Sequence, residues 1–139
     1  MKKFILSWSP VLAWCGLIFG LSSIPDLGTG LGVWDLLLRK TAHAGEFGVL
    51  AALFCRALSG SGDFSVRFLF WSAFVFCVLY AISDEFHQSF VQGRFGTAFD
   101  VSVDSAGALA VCFFQRHRAR ERDLPVRGPH KEPYRMPLV

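Results

Sequence analysis

The sequence lacks most of the signatures that usually assign a chemistry. Its four cysteines, Cys15, Cys55, Cys77 and Cys112, form no CxxC pair. Each lies in or beside an apolar run, where a thiol serves as a small hydrophobe. Gly28, Gly30 and Gly32 have the wrong spacing for a phosphate-binding fingerprint, and no strand–turn–helix context surrounds them. No serine or cysteine elbow is visible, and no inverted repeat relates the two halves as in many transporters. A basic stripe on a folded surface, the footprint of nucleic-acid binding, is also missing. RHRARER (Arg116–Arg122) follows an apolar run and reads as its cytoplasmic flank. The most informative absence is charge. Phe68–Ile82 (FLFWSAFVFCVLYAI) has none, and Val101–Phe114 (VSVDSAGALAVCFF) has only Asp104.

What is present is apolar. In 139 residues, enough for one domain, apolar types make up 53%, with 15 phenylalanines and 4 tryptophans, and the mean hydropathy is +0.41. Helices of a soluble bundle need a polar face, and these runs have none. The pattern predicts an all-α membrane protein: a bundle of about four transmembrane helices with a disordered basic C-terminal tail. Residues 1–119 make up the membrane domain and 120–139 the tail, where Pro125, Gly128, Pro129, Pro133 and Pro137 cluster.

A span needs about 20 residues. The first is expected over Phe4–Ile24, with Pro10 inside it; the run is long for a cleaved signal peptide and no small-x-small cleavage site follows. A glycine-rich loop, Pro25–Asp35, comes next. The second span is expected over Leu36–Leu58. The third covers Phe64–Ile82 and continues as helix through Gln88. Val101–Phe114 is short for the fourth, which must begin nearer Phe95 or cross as a thin, tilted or partial span. With four spans and the N-terminus inside, eleven of the 14 Lys and Arg residues fall on the inner side. Only Arg39, Lys40 and Arg94 fall outside. That satisfies the positive-inside rule and places both termini in the cytoplasm.

The densest polar cluster, SDEFHQSFVQGRFGTAFD (Ser83–Asp100), separates the two least charged runs. In this topology the outer ends of the second, third and fourth spans meet at one depth. They bring together Lys40, His43 and Glu46, then Asp84, Glu85 and Gln88, then Arg94, Asp100 and Asp104. Helical spacing agrees: His43 and Glu46 are i,i+3, Asp84 and Gln88 are i,i+4, Glu85 and Gln88 are i,i+3, and Asp100 and Asp104 are i,i+4. The cluster reads as the rim of a polar pocket. Gly93 suits a turn with positive φ. Two helix N-termini, with Arg39, Lys40 and Arg94, favour an anion there. Arg94 can equally pair with Asp100 or Glu85 to hold the turn, and His87 and Tyr80 read as structural.

Two blocks, RKTAHAGEFGVLA (Arg39–Ala51) and YAISDEFHQSFVQGRFGTAFDVSVDSAGA (Tyr80–Ala108), resemble the VanZ-like family of bacterial integral membrane proteins. The matching positions are Lys40, His43, Asp84, Glu85, Gln88, Phe90, Gly93, Arg94, Asp100, Asp104 and Gly107. Ser22, Ser23 and Pro25 fit the end of the family's first helix. The resemblance covers roughly Trp14–Phe114. Phe47 departs from it, standing where the family usually has Tyr. The family takes its name from a protein linked to low-level teicoplanin resistance. The resemblance therefore implies a multi-pass protein of the bacterial cytoplasmic membrane that acts on an envelope or lipid-linked substrate.

Two functions compete. In an enzyme acting on a lipid-linked or anionic amphiphile, His43 or Glu85 is the general acid or base and Arg94 the anion clamp. Gln88 completes that catalytic set with Asp84. Lys40, Glu46, Asp100 and Asp104 bind the substrate, or the carboxylates hold a divalent metal. Oxygen ligands suit Mg²⁺ or Mn²⁺, and with His43 also Zn²⁺. The alternative is a non-catalytic protein that holds a lipid headgroup or a membrane partner.

Overall fold

The structure, a computed structural model, describes residues 2–25 and 32–123. The described residues form four α-helices and no strand: α1 (Lys2–Ser22), α2 (Val33–Ser59), α3 (Val66–Gln88) and α4 (Ala98–Asp123). At about 1.5 Å per residue each is at least about 30 Å long, enough for a hydrocarbon core. Three of them, α1, α3 and α4, are also apolar enough to cross a membrane. The 27-residue α2 has the length but carries Arg39, Lys40, His43 and Glu46 in its first half. The chain is a multi-pass, all-helical membrane protein.

The helix boundaries differ from the sequence reading by a few residues, most at α2 and α4. α2 begins at Val33 rather than Leu36, which shortens the preceding loop; Gly28 and Gly30 lie outside the described residues. α4 begins at Ala98 and continues past Phe114 to Asp123, so the fourth helix gains its length at its basic end. Arg116 lies over the Phe70 ring at 5.5 Å and Arg118 over Phe114 at 4.6 Å. Their stems thus extend the apolar surface while the charges reach the interface. The helix overruns the expected tail boundary by a turn, and residues 124–139 lie outside the described residues.

α2 packs chiefly on α4, α4 also packs on α3, and α1 lies against α2 with a smaller contact to α3. The core is made largely of small residues: Ala51, Ala57, Ala73, Ala81, Ala108, Cys55, Cys77 and Cys112 are all buried. In lipid, close backbone approach replaces the hydrophobic drive between helices. It is closest at Gly107, where a Cβ would sit 2.0 Å from the Ala44 carbonyl oxygen. Large apolar side chains point the other way: Phe4, Leu12, Trp71, Leu79 and Phe113 are all exposed on the bundle surface, the inversion expected where the solvent is lipid.

The bundle has two unlike ends. At one, Trp8 near the start of α1 donates to Ser61 after α2 (3.0 Å), and Arg116 reaches Phe70 near the start of α3. Arg56, Arg67 and the basic end of α4 belong to this end. The other end holds the polar cluster.

Candidate functional site

α3 ends in the sequence Asp84-Glu85-Phe86-His87-Gln88, and the chain then turns sharply. Gly93 takes φ 81°, the left-handed conformation expected of it, and Arg94 N–H donates to the Val91 carbonyl (3.1 Å). Gly96 passes so close to α3 that a Cβ there would lie 2.0 Å from the Glu85 carbonyl oxygen. Thr97 then caps α4. Its hydroxyl accepts from the Asp100 N–H (3.1 Å) and donates to Asp100 Oδ2 (2.7 Å). Its own N–H donates across to Glu85 Oε2 (2.9 Å), which locks the start of α4 onto the end of α3.

A hydrogen-bonded network runs from this lock to α1. Gln88 Nε2 donates to Glu85 Oε1 (3.1 Å) and to Asp84 Oδ2 (2.9 Å). The same Asp84 oxygen accepts from the buried Ser22 hydroxyl (2.8 Å). Arg94, only 7% exposed, spreads three donors: Nε to the Ile24 carbonyl (3.0 Å), Nη2 to the Leu21 carbonyl (3.2 Å) and Nη1 to Gln88 Oε1 (3.3 Å). Arg94 thus ties the end of α1 to the turn. It forms no ion pair with Asp100 or Glu85. Burial, with Arg39 nearby, lowers its pKa, and a guanidinium still remains charged.

The facing wall comes from α2 and α4. Lys40 pairs with Asp100 and lies 4.8 Å from the Phe99 ring centre. His43 Nδ1 is 3.7 Å from Glu46 Oε2, too long for a hydrogen bond, and neither atom has another partner. Asp104 is 1% exposed and both of its carboxylate oxygens are unpartnered, as is Asp84 Oδ1.

Between the walls is a cavity of about 190 Å³. Arg39, Lys40 and His43 of α2 line it, with Glu85 and Gln88 of α3, Gly93 to Phe95 of the turn, and Asp100, Val103 and Asp104 of α4. Seven of the nine residues singled out in the sequence therefore share one cavity. Asp84 and Glu46 do not border it: Asp84 turns to Ser22, and Glu46 sits beside His43. No group of three or more His, Cys, Asp or Glu side chains among the described residues is arranged to hold a metal ion.

Thr97 and Gly96 escape the sequence reading. A Thr-x-x-Asp spacing before an apolar run was the available signal for the cap; nothing in the sequence shows that its N–H crosses to Glu85. His87 and Tyr80 are anchors to α1. The His87 ring stacks on Phe19 (4.2 Å between centroids) with Nε2 3.0 Å from Ser23 Oγ, and the Tyr80 hydroxyl donates to the Cys15 carbonyl (2.7 Å). Phe47, fully buried and 6.1 Å from the Tyr80 ring, fills a core position with no polar duty.

A helical membrane protein with a polar cavity at one end of its bundle is the class that fold and site define. Residues 4–116 match the VanZ/LLP1 family, and the chain belongs to it. The match takes in α2 and α3, most of α1 and α4, and every residue of the cavity. No curated protein and no solved structure matches the chain.

Proposed function

We propose that this protein receives the anionic headgroup of an envelope lipid or lipid-linked precursor in the cavity between α2, α3 and α4. The observation that carries the reading is the buried Arg94, which borders that cavity and, among the described residues, has no carboxylate within ion-pair distance. A buried cation with only neutral partners calls for an anion. Arg39 adds positive charge to the same lining, while the Lys40 charge is matched by Asp100. The basic residues at the opposite end of the bundle support a cytoplasmic location for both termini, with the cavity facing the outer leaflet of the bacterial cytoplasmic membrane. A reporter active only in the cytoplasm, fused at the C-terminus, reads this orientation; an inactive fusion at normal protein levels reverses it.

A catalytic role has its own support. His43 and Asp104 border the cavity, and His43 Nδ1 and both Asp104 oxygens have no hydrogen-bond partner, as an acid or base that acts on a bound group requires. The experiment is a titration of the protein in phosphatidylcholine nanodiscs with anionic envelope lipids and lipid-linked cell-wall precursors, followed by mass spectrometry with and without Mg²⁺, Mn²⁺ or Zn²⁺. Retention of an anionic amphiphile above its share of the disc is expected. A product mass that disappears in His43→Ala makes the site catalytic, and retention without a product leaves a binding protein. If no anionic amphiphile is retained, the reading is wrong.

A further inference from the structure

We propose that the headgroup this cavity takes is a phosphodiester bearing its own hydrogen-bond donor, a hydroxyl or an ammonium, and that Asp104 is the residue that recognises the donor. The inference rests on the anionic-amphiphile reading and adds a second point of contact to it.

Asp104 is the most isolated polar group in the bundle. It is 1% exposed, borders the cavity, and neither of its oxygens has a partner. A buried carboxyl without partners costs several kcal/mol, by about the measure that applies to any uncompensated buried charge. In either protonation state it presents at least one acceptor. Several donors on the same cavity are committed elsewhere. Gln88 gives both amide hydrogens to Asp84 and Glu85. Lys40 is turned to Asp100. The Thr97 N–H goes to Glu85. Val103, the remaining α4 residue on the cavity, has no side-chain donor.

Arg94 borders the same cavity with the opposite deficit, a buried cation with no acid in ion-pair distance among the described residues. One pocket therefore presents an unmatched cation and an unmatched acceptor. A bare phosphate satisfies the first and leaves the second. A phosphodiester with a short polar arm satisfies both, and about 190 Å³ has room for the two groups together.

The test holds the phosphodiester constant and varies the donor. The protein in phosphatidylcholine nanodiscs is titrated with phosphatidylmethanol, which has no donor, phosphatidylglycerol, which has hydroxyls, and phosphatidylethanolamine, which has an ammonium. Native mass spectrometry reads the occupancy. At least one donor-bearing lipid is expected to bind ~10-fold or more tighter than phosphatidylmethanol, the value of one buried hydrogen bond to a charged group. The stronger of the two identifies the donor. Asp104→Ala is expected to bring the three affinities together, and Asp104→Asn, isosteric and keeping one acceptor, to reduce the preference. Equal affinities in the wild type, or a preference untouched in Asp104→Asn and Asp104→Ala, overturn the inference and leave the Asp104 acceptors to water. In both cases the anionic-amphiphile reading survives, because phosphatidylmethanol still binds. Failure of all three lipids to bind removes that reading and this one together.

Discussion

The two walls of the cavity are built on opposite terms. On the wall formed by the end of α3 and the turn after it, hydrogen-bonding capacity is largely used. Both Glu85 oxygens accept, both Gln88 amide hydrogens are donated, and Arg94 grips two carbonyls at the end of α1. On the wall formed by α2 and α4, His43 Nδ1, Glu46 Oε2 and both Asp104 oxygens have no partner. The contrast separates holding from doing. Glu85 reads in the sequence as a general base as readily as His43 does. In the structure its Oε2 fixes the start of α4 and its Oε1 accepts from Gln88, and a base already engaged by two donors is poorly placed to take a proton. On the proposed reading, His43 and Asp104 are the groups that meet a ligand.

The sharpest way to break the comparison is to move the loose wall as a whole. Gly107→Leu places a side chain where even a Cβ lies 2.0 Å from the Ala44 carbonyl. Separating α2 from α4 should cost about 3 kcal/mol or more. Loss of monodisperse protein in detergent is expected, and a normal thermal midpoint would show that the two helices do not depend on this contact.

The next two substitutions set wall against wall. Arg94→Leu orphans the Leu21 and Ile24 carbonyls and Gln88 Oε1 together. A loss of about 3 kcal/mol is expected, with lipid retention lost too. His43→Ala removes a side chain whose Nδ1 has no partner. It should change stability by no more than about 1 kcal/mol while abolishing whatever turnover the wild type shows. Thermal unfolding in one detergent, beside nanodisc retention, compares the pair. If His43→Ala destabilises as much as Arg94→Leu, the α2–α4 wall is scaffold as well and the distinction fails.

Much of this arrangement was legible before any coordinates. Charge-free runs predicted the helices, and helical spacing predicted the Asp84–Gln88 and Glu85–Gln88 contacts, both of which form. The positive φ of Gly93 followed from its place before Arg94. Local geometry fixes such features, and local geometry is written in i,i+3 and i,i+4 intervals. The partner of Arg94 was not legible. The nearby acids Glu85 and Asp100 are the obvious choices in sequence, yet the guanidinium reaches back some 70 residues to the Ile24 carbonyl, just past the end of α1. Backbone carbonyls at a helix end have no sequence signature and look alike at every position.

The lipid environment, the number of helices and the gathering of polar residues at one end can be read from the unfolded chain. These follow from length, hydropathy and the period of the helix, which each segment carries alone. Which of those polar residues are spent and which remain open depends on the packed bundle. Saturation is a property of pairs, and the pairs here join α1 to the turn, α3 to the start of α4, and α2 to α4 across Gly107. The close approach that Gly107 permits sets α2 against α4, the two helices that bring His43 and Asp104 to the cavity, and no residue of either helix specifies that spacing alone.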